Sequence, residues 1–358
     1  MIILRNEVTG KNLKLTDSVA KGVFGITGQD NAYLLCLPAR HIFPAKGAQN
    51  VQVVKERKRR KKIGGACVVR MGGLGDLIML SSSLAKMKKK NPDSPLTLAT
   101  IPRYVPIMKD LKGVDLCIPI EDMSKYSFDK VLDLRYAVEP SNIGPGSLSW
   151  RKYVQNDRSD NFDELCGVNS RGKYFNVPVD KEIRKTIIKR KIVKGKIKIG
   201  LCPTTASPVR VIPPEYVAPL TRMLEGLGHV HLIGKTEEWN SDLSKISGGC
   251  VVNLLDRTDD KELIAACSMM DLIISPDTGV LHIAGALKKK AIGLFGNINP
   301  DTRIKYYKNM TSIYPVCEMA CVPCHDVPGA CDCETPGAPC MRWITPERIL
   351  VAAKARLR

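Results

Sequence analysis

With 358 residues, 44% of them hydrophobic and 25% charged, the chain is long enough to bury two cored domains and a small third. Its apolar runs fall far short of a membrane span, and the opening MIILRNEV lacks the apolar length of a signal peptide. This excludes a helical membrane protein and predicts a soluble cytoplasmic one. The formal charge of +19 calls for an anionic partner: a nucleotide, a phosphorylated glycan, an anionic membrane surface or a nucleic acid.

Residues 1 to about 54 alternate short apolar runs with turn signals and read as a small β-rich module of at most about five strands. A Gly28-Gln29-Asp30-Asn31 turn suggests a hairpin there. Nothing in the module looks catalytic, so oligomerisation or docking is its expected role. KERKRRKK at 55–62 follows as a charged hinge. From Ile63 the pattern alternates strand and helix. Cys67–Met71 enters a glycine turn, Gly72-Gly73-Leu74-Gly75, and leaves it as an amphipathic helix that ends in Lys88, Lys89, Lys90, Asn91 and Pro92. Strands are expected at 96–100, 114–120 and 128–134, with a helix around Tyr104–Leu111. Their uniform apolarity fits a parallel sheet covered on both faces. Asn142-Ile143-Gly144-Pro145-Gly146 reads as a loop, and Phe162–Cys166 as a helix.

A basic segment, with nine Lys or Arg between Lys181 and Lys198, separates this half from a second αβ set. There strands are expected at 196–204, 229–234, 251–255, 272–279 and 291–297. Helices are expected at 213–228, 259–268, 279–288 and Pro346–Arg356. The resulting fold class is α/β: two Rossmann-like, doubly wound domains facing a cleft at the carboxyl ends of their strands, where ligands of such sheets bind. The expected boundaries are 1–62 for the N-terminal module and linker, 63–190 for an acceptor-side domain, and 191–358 for a nucleotide-sugar domain carrying a Cys-rich loop at 317–340.

Two stretches could carry chemistry. In the first, glycines let the backbone turn sharply and the helix start directs N–H groups outward, with Asp76 the acidic side chain at its mouth. Asp76 reads either as a helix-start residue or as a base. The second is Ser275-Pro276-Asp277-Thr278-Gly279-Val280-Leu281-His282, where a strand ends and the turn opens a helix. The Thr278 hydroxyl and the N–H groups of Thr278, Gly279 and Val280 could cradle a phosphate there, with His282 one turn further in. The same residues are also ordinary capping vocabulary. A dinucleotide site is excluded, because Ile78 occupies the sixth position of G-x-G-x-x-G and LTLAT ends without an acidic residue. No NAD is expected.

Thirteen cysteines are many for a cytosolic chain, and six of them crowd into Cys317–Cys340. Cys321-x-x-Cys324 is a knuckle that places two thiolates on one metal, while Cys331, Cys333 and Cys340 offer further ligands. Disulfides and unliganded thiols compete with that reading, and a cytosolic location argues against disulfides.

The pairing of GGLGDLIMLSS with SPDTGVLHIAGALKKKAIGLFGNINP resembles the heptosyltransferase family of glycosyltransferases, over about residues 63–350. The resemblance implies the GT-B architecture, a donor held mainly by the C-terminal half, and an inverting transfer of heptose or a related sugar from an ADP-sugar to an acceptor hydroxyl. It makes Asp76 the base and assigns Asp277, Thr278, Gly279 and His282 to the donor. Gly73 and Gly75 then leave room for acceptor and sugar. CPTTASPVRVIPPE resembles the family's phosphate-facing stretch, with Arg210 where Lys is usual and Ile212 where Trp is usual. Arg210 is therefore a diphosphate contact, joined by Thr204, Thr205 and Ser207. No catalytic metal is expected. Members that modify bacterial autotransporters carry a cysteine-rich iron finger in this region, so the resemblance implies a structural metal, Fe or Zn, held among Cys317, Cys321, Cys324, Cys333 and Cys340. The acceptor is expected to be an anionic glycolipid core or a protein, at the inner membrane face in the first case. The alternative is a nucleic-acid-modifying glycosyltransferase, or a non-catalytic basic nucleic-acid or assembly protein on the same fold.

Overall fold

The computed structural model describes the strands Ile2–Asn6 (β1), Asn12–Leu15 (β2) and Val51–Val53 (β3), and then the chain from Arg60 onward except residues 139–154, 191, 194–195, 237, 316–317, 320, 325–332 and 334–336. The side chains of 190 and 238–241 are likewise outside the description. The expected turn at Gly28–Asn31 and the loop at Asn142–Gly146 lie outside the described residues. The chain divides into two compact units. The first comprises Met1–Ile63 with Glu121–Ser127. In it β1 pairs antiparallel with both β2 and β3, in register Leu4↔Leu13 and Leu4↔Val53. The end of the basic run is not only a hinge: Lys61–Lys62 (β4) pairs in parallel with Tyr126–Ser127 (β8).

The second unit, Gly64–Ile120 with Phe128–Arg358, holds two parallel sheets. Its first sheet is built from Ala66–Val69 (β5), Leu96–Thr100 (β6), Leu116–Pro119 (β7) and Lys130–Asp133 (β9), in the order β7-β6-β5-β9. The strand order reverses at β5, so the crevice past its carboxyl end is the place for a ligand. Into that crevice opens helix α1, Leu74–Lys90. Its apolar face, including Leu77, Ile78, Leu80 and Leu84, is fully buried, and Lys88, Lys89 and Lys90 close its last turn, where the helix dipole favours cations. The helix expected around Tyr104–Leu111 is shorter: a 3₁₀ turn at Pro102–Tyr104 leads into Val105–Met108 (α2), with Pro106 near its start.

Helix α3, Arg158–Leu165, starts earlier than the sequence suggests because Asp157 caps it, accepting from Ser159 N at 2.8 Å. Three buried serines of α1 fix what packs on it. Ser83 Oγ donates to Asp163 of α3 at 2.7 Å, while Ser81 and Ser82 accept from the backbone N–H groups of Asn176 and Tyr174. The basic segment after Asp180 contains a helix, Lys181–Arg190 (α4), which the charge density hides from a periodicity reading. Ile187 is its fully buried anchor, and α4 packs on Asp260–Cys267 (α6).

The second sheet comprises Lys198–Leu201 (β10), His229–Leu232 (β11), Val251–Asn253 (β12), Leu272–Pro276 (β13), Lys290–Leu294 (β14) and Met310–Ile313 (β15). All are parallel, in the order β12-β11-β10-β13-β14-β15, the doubly wound 3-2-1-4-5-6 arrangement. The helices around it are Pro214–Glu225 (α5), α6, Gly279–Ala286 (α7), Pro339–Arg342 (α8) and Pro346–Leu357 (α9). A capping box between Asp259 and Glu262 starts α6, and Thr345 starts α9. The edge strand β15 is absent from the sequence reading because it is half-exposed and carries Thr311 and Ser312 at its centre. Among the described residues no helix is long and apolar enough to cross a membrane.

Candidate functional site

The first carboxylate sits where β5 hands over to α1. Arg70 ends the strand and its side chain is completely buried, which requires a counter-charge. Its Nη2 lies 3.1 Å from Asp76 Oδ2, and its Nη1 donates to the carbonyls of Leu134 and Arg135 at 2.8 and 3.0 Å. The guanidinium carbon also stands 5.5 Å from the centre of the Phe162 ring. From α3, Arg158 Nη1 donates to the other oxygen, Asp76 Oδ1, at 2.7 Å. Burial by itself would push the Asp76 carboxyl up, but the charges and hydrogen bonds of Arg158 and Arg70 outweigh it and hold the group well below the usual carboxylate range.

The second carboxylate, Asp277, ends β13 just before α7. Arg210 Nη1 lies 3.1 Å from its Oδ2 and donates to its backbone carbonyl at 3.2 Å. His282 Nε2 is 3.5 Å from Oδ1, and Arg303 Nε is 3.7 Å from Oδ2. Burial again raises the carboxyl, and His282, Arg303 and Arg210 together hold it far below its ordinary value. The far side of the imidazole is fixed as well, with His282 Nδ1 3.0 Å from the Tyr307 hydroxyl. Tyr307 stacks edge-on against Phe175 and leans on Gly285 of α7.

These two constellations touch. A Cβ on Gly75 would stand 2.5 Å from His282 Cδ2, and one on Gly279 would meet Leu74 Cβ at 3.7 Å, so the starts of α1 and α7 abut. The space at Gly75 is thus taken by His282, whereas Gly73 has nothing within 4 Å of an added Cβ. Thr278 is the N-cap of α7 in extended conformation, φ −152°, without a side-chain cap bond. Thr204 and Thr205 are buried at the mouth of β10: Thr204 Oγ1 donates to the Lys235 carbonyl at 2.5 Å, and Thr205 Oγ1 donates to the Ser207 carbonyl and accepts from its N–H. The hydroxyls of Thr204 and Thr205 are therefore engaged in shaping the turn. Arg210 Nε is buried and has no hydrogen-bond partner among the described residues. Ile212 stands fully in the core rather than facing the site.

The sequence reading missed Arg70, Arg158, Arg303 and Tyr307. Arg70 carried a signal, a charge at the end of an apolar strand, since a buried guanidinium must be paired. The other three come from elements distant in sequence, and their convergence is visible only in the fold.

Of the proposed metal ligands, Cys317 lies outside the described residues, as do Cys331 and His325. Cys321 is exposed, Cys333 half-buried, and Cys324 and Cys340 are buried. The last two come to the same place, just past β14. Cys324 N donates to the Asn297 carbonyl at 3.0 Å, and Cys340 Sγ lies against Gly296. Beside them the buried Asn297 Oδ1 and Tyr314 hydroxyl lack hydrogen-bond partners among the described residues. A polar, thiol-lined spot of this kind fits a metal in part. Among the described residues no three His, Cys, Asp or Glu side chains come together as a ligand group.

The family model described as glycosyltransferase family 9 (heptosyltransferase) matches residues 161–331. Lipooligosaccharide heptosyltransferase 2 of Campylobacter jejuni is 28% identical over 108 residues, which are 30% of this chain and 32% of that protein. The match therefore spans about a third of that relative's length. Among solved structures, E. coli ADP-heptose lps heptosyltransferase II aligns with a TM-score of 0.63 at 15% identity, covering 82% of this chain and 98% of that one. TibC, described as a dodecameric iron-containing heptosyltransferase from enterotoxigenic E. coli and solved with ADP-D-beta-D-heptose, aligns with a TM-score of 0.61 at 12% identity, covering 99% and 90%. At these identities the structural likeness is one of fold, the GT-B arrangement.

Proposed function

The chain belongs to the heptosyltransferase family, glycosyltransferase family 9, and on that premise we propose that it transfers heptose or a related sugar from a nucleotide donor, ADP-heptose by likeness to its relatives, to an acceptor hydroxyl. The observation that carries this reading is the contact between two glycine-turn helix starts, each with a carboxylate held ionised by arginines.

The donor diphosphate is taken by the start of α7, by Thr278 and Gly279, and by Arg210, whose buried Nε supports an anion contact. Arg also stands in well for the Lys usual at that position, because its fork binds phosphate oxygens bidentately. Asp277 orients that machinery: it holds Arg210, Arg303 and His282 in one array, so His282 approaches the sugar in a fixed pose. Thr204 and Thr205 shape the adjoining turn. Asp76 is the base. The acceptor oxygen forms a bond to the anomeric carbon while the bond from that carbon to the diphosphate oxygen breaks, with the electron pair leaving on the diphosphate. The hydroxyl proton passes to Asp76 and then to solvent. Inversion at the anomeric carbon follows from a single displacement.

A structural metal, Fe or Zn, would be held by Cys324 and Cys340 with further thiols of the 317–340 loop, and it would tie that loop to the end of β14. The division into an acceptor-side half at 63–190 and a donor-side half at 191–358 is part of this reading, as is assembly through the N-terminal module. The acceptor is an anionic glycolipid core or a protein, and the location is cytoplasmic, at the inner membrane face in the first case.

A thermal-shift screen of nucleotide sugars tests the donor, because a ligand that binds only the native state stabilises it by mass action. ADP-heptose and ADP should raise the melting temperature while NAD does not. No shift with any ADP-sugar would remove the proposed donor site. In parallel, Asp76→Asn should retain that shift and lose ADP release; undiminished turnover in the variant would remove Asp76 as base.

A further inference from the structure

Both oxygens of Asp76 are occupied. Arg70 covers Oδ2 at 3.1 Å and Arg158 covers Oδ1 at 2.7 Å. A base needs access for the incoming hydroxyl and some affinity for its proton, and two guanidiniums crowd the first and lower the second, although each takes only one of the two lone-pair sites of its oxygen. Each opposite charge within about 4–6 Å lowers a carboxyl pKa by about one to three units. Release of one partner would therefore make Asp76 the stronger and more open base.

The two partners differ in whether they can. The Arg70 side chain is 0% exposed, ends a central strand and is bonded to the Leu134 and Arg135 carbonyls. Pulling it off would leave a buried, uncompensated charge. Arg158 opens α3, and solvent reaches its side chain and that of Asp76 equally, at 15% each. Among the described residues, Tyr104, whose phenol feels its charge, and His282, which packs on the neighbouring Gly75, also lie near Asp76. Neither blocks the solvent-side oxygen with a formal charge pair.

We propose that Arg158 is an exchangeable cover on the base, drawn off Asp76 by an oxyanion that the acceptor carries beside its attacking hydroxyl. This rests on the reading of Asp76 as base and sharpens it: the acceptor is an acidic molecule, phosphorylated or carboxylated near the reacting hydroxyl, and Arg158 is the residue that selects it. The exchange is balanced. The Arg158–Asp76 pair is traded for an Arg158–oxyanion pair of the same bidentate-capable chemistry, and Oδ1 is left to take the hydroxyl proton. A neutral acceptor would have to break the pair with nothing in return, so it leaves the base covered. The cover also protects the donor, because water alone cannot lift it.

The test uses the full chain with ADP-heptose, water as the only acceptor, and release of ADP as readout, with inorganic phosphate as the probe oxyanion. In the wild type, phosphate should raise ADP release. Arg158→Gln should release ADP faster without phosphate, by about 3- to 30-fold if roughly half of a one-to-three-unit gain in basicity is expressed in rate. It should also lose the phosphate stimulation and move the acid limb of the pH profile upward. Arg158→Lys should restore both the low basal rate and the stimulation. Unchanged or lower release by Arg158→Gln, or stimulation that survives in it, would overturn the proposal. Asp76→Asn separates the two levels. Release that persists in Asp76→Asn removes the base itself. If Asp76→Asn is silent while Arg158→Gln behaves as wild type, the cover is removed and the base stands.

Discussion

Gly75→Ala puts the contact between the two helix starts to a direct test. In a helix the change alone favours the folded state by about 1 kcal/mol, since alanine loses less backbone freedom than glycine. Here the new methyl would lie 2.5 Å from His282 Cδ2 and 3.3 Å from Cγ and Nε2, whereas carbon atoms pack best at about 3.5–4.0 Å. The ring cannot easily yield, because Nδ1 is 3.0 Å from the Tyr307 hydroxyl and Nε2 is 3.5 Å from Asp277. Overpacking of a fixed neighbour costs about 1–3 kcal/mol, so the net change lies between neutrality and a loss of about 2 kcal/mol. Gly73→Ala is the control. It has open space and φ −62°, and the entropy it removes from the unfolded chain is worth about 0.4–1 kcal/mol, offset by a weaker helix cap. Urea unfolding of both variants should place Gly75→Ala below Gly73→Ala, by up to about 2 kcal/mol, with weaker ADP-heptose binding because His282 is displaced. Equal stability and equal donor affinity in the two variants would refute the contact.

Asp277→Asn leaves Arg210, Arg303 and His282 facing a neutral amide in a buried site and should cost about 3–5 kcal/mol in urea unfolding. Because the folded-state pKa of Asp277 is depressed, its stabilisation is complete above about pH 4 and is lost as pH falls further. Acidification below pH 4 should therefore destabilise wild type more steeply than Asp277→Asn; parallel slopes would contradict the pairing. Freshly purified protein should contain close to one Fe or Zn per chain by elemental analysis, and Cys324→Ser with Cys340→Ser should lose it; a metal-free, stable protein would remove the finger. Arg103 and Asp260 form a bidentate pair at 2.5 and 2.6 Å, yet the Arg103 side chain is half exposed, so Arg103→Gln should cost no more than about 1 kcal/mol.

The parts of the fold legible in the sequence are those where local chemistry and tertiary demand agree. LTLAT and LIISP are mostly apolar, without a charged residue, and become fully buried central strands, and Asp259 with Glu262 writes the start of α6 in four residues. The misses have physical causes. Lys181–Arg190 is helical although mostly charged, because Ile187, with the half-buried Ile183 beside it, reaches the core while most of its charged positions are exposed. β15 needs β14 beside it to become a strand, since Met310 to Ile313 offers no continuous apolar run. In the candidate site, Asp76, Asp277, Thr278 and His282 lie on recognisable turns. Arg158 and Arg303 lie in segments whose local pattern says only helix or turn, and they reach the carboxylates through α1–α3 packing and through the chain after β14.

Counting charges at the site changes what the basic composition means. Asp76 and Asp277 together face Arg70, Arg158, Arg210 and Arg303, so among the described residues these two carboxylates are met by four guanidiniums. The diphosphate bridge of a nucleotide sugar carries about two negative charges, and the starts of α1 and α7 add their dipoles in the same sense. On the proposed reading these four arginines, a small part of the basic excess, set the charge that the donor meets. The lysine run at the end of α1 is elsewhere: at about 1.5 Å of rise per residue, Lys88 lies about 18 Å from Asp76 along the helix. Two of its members are already spoken for, Lys86 by Asp163 and Lys88 by Asp115. The rest of that run cannot serve the donor diphosphate at that range, where salt screens exposed charges within about 10 Å. It must act on the acceptor's surroundings or on solubility. The charge that decides the chemistry is local and largely buried, and on the proposed reading its adjustable member is Arg158.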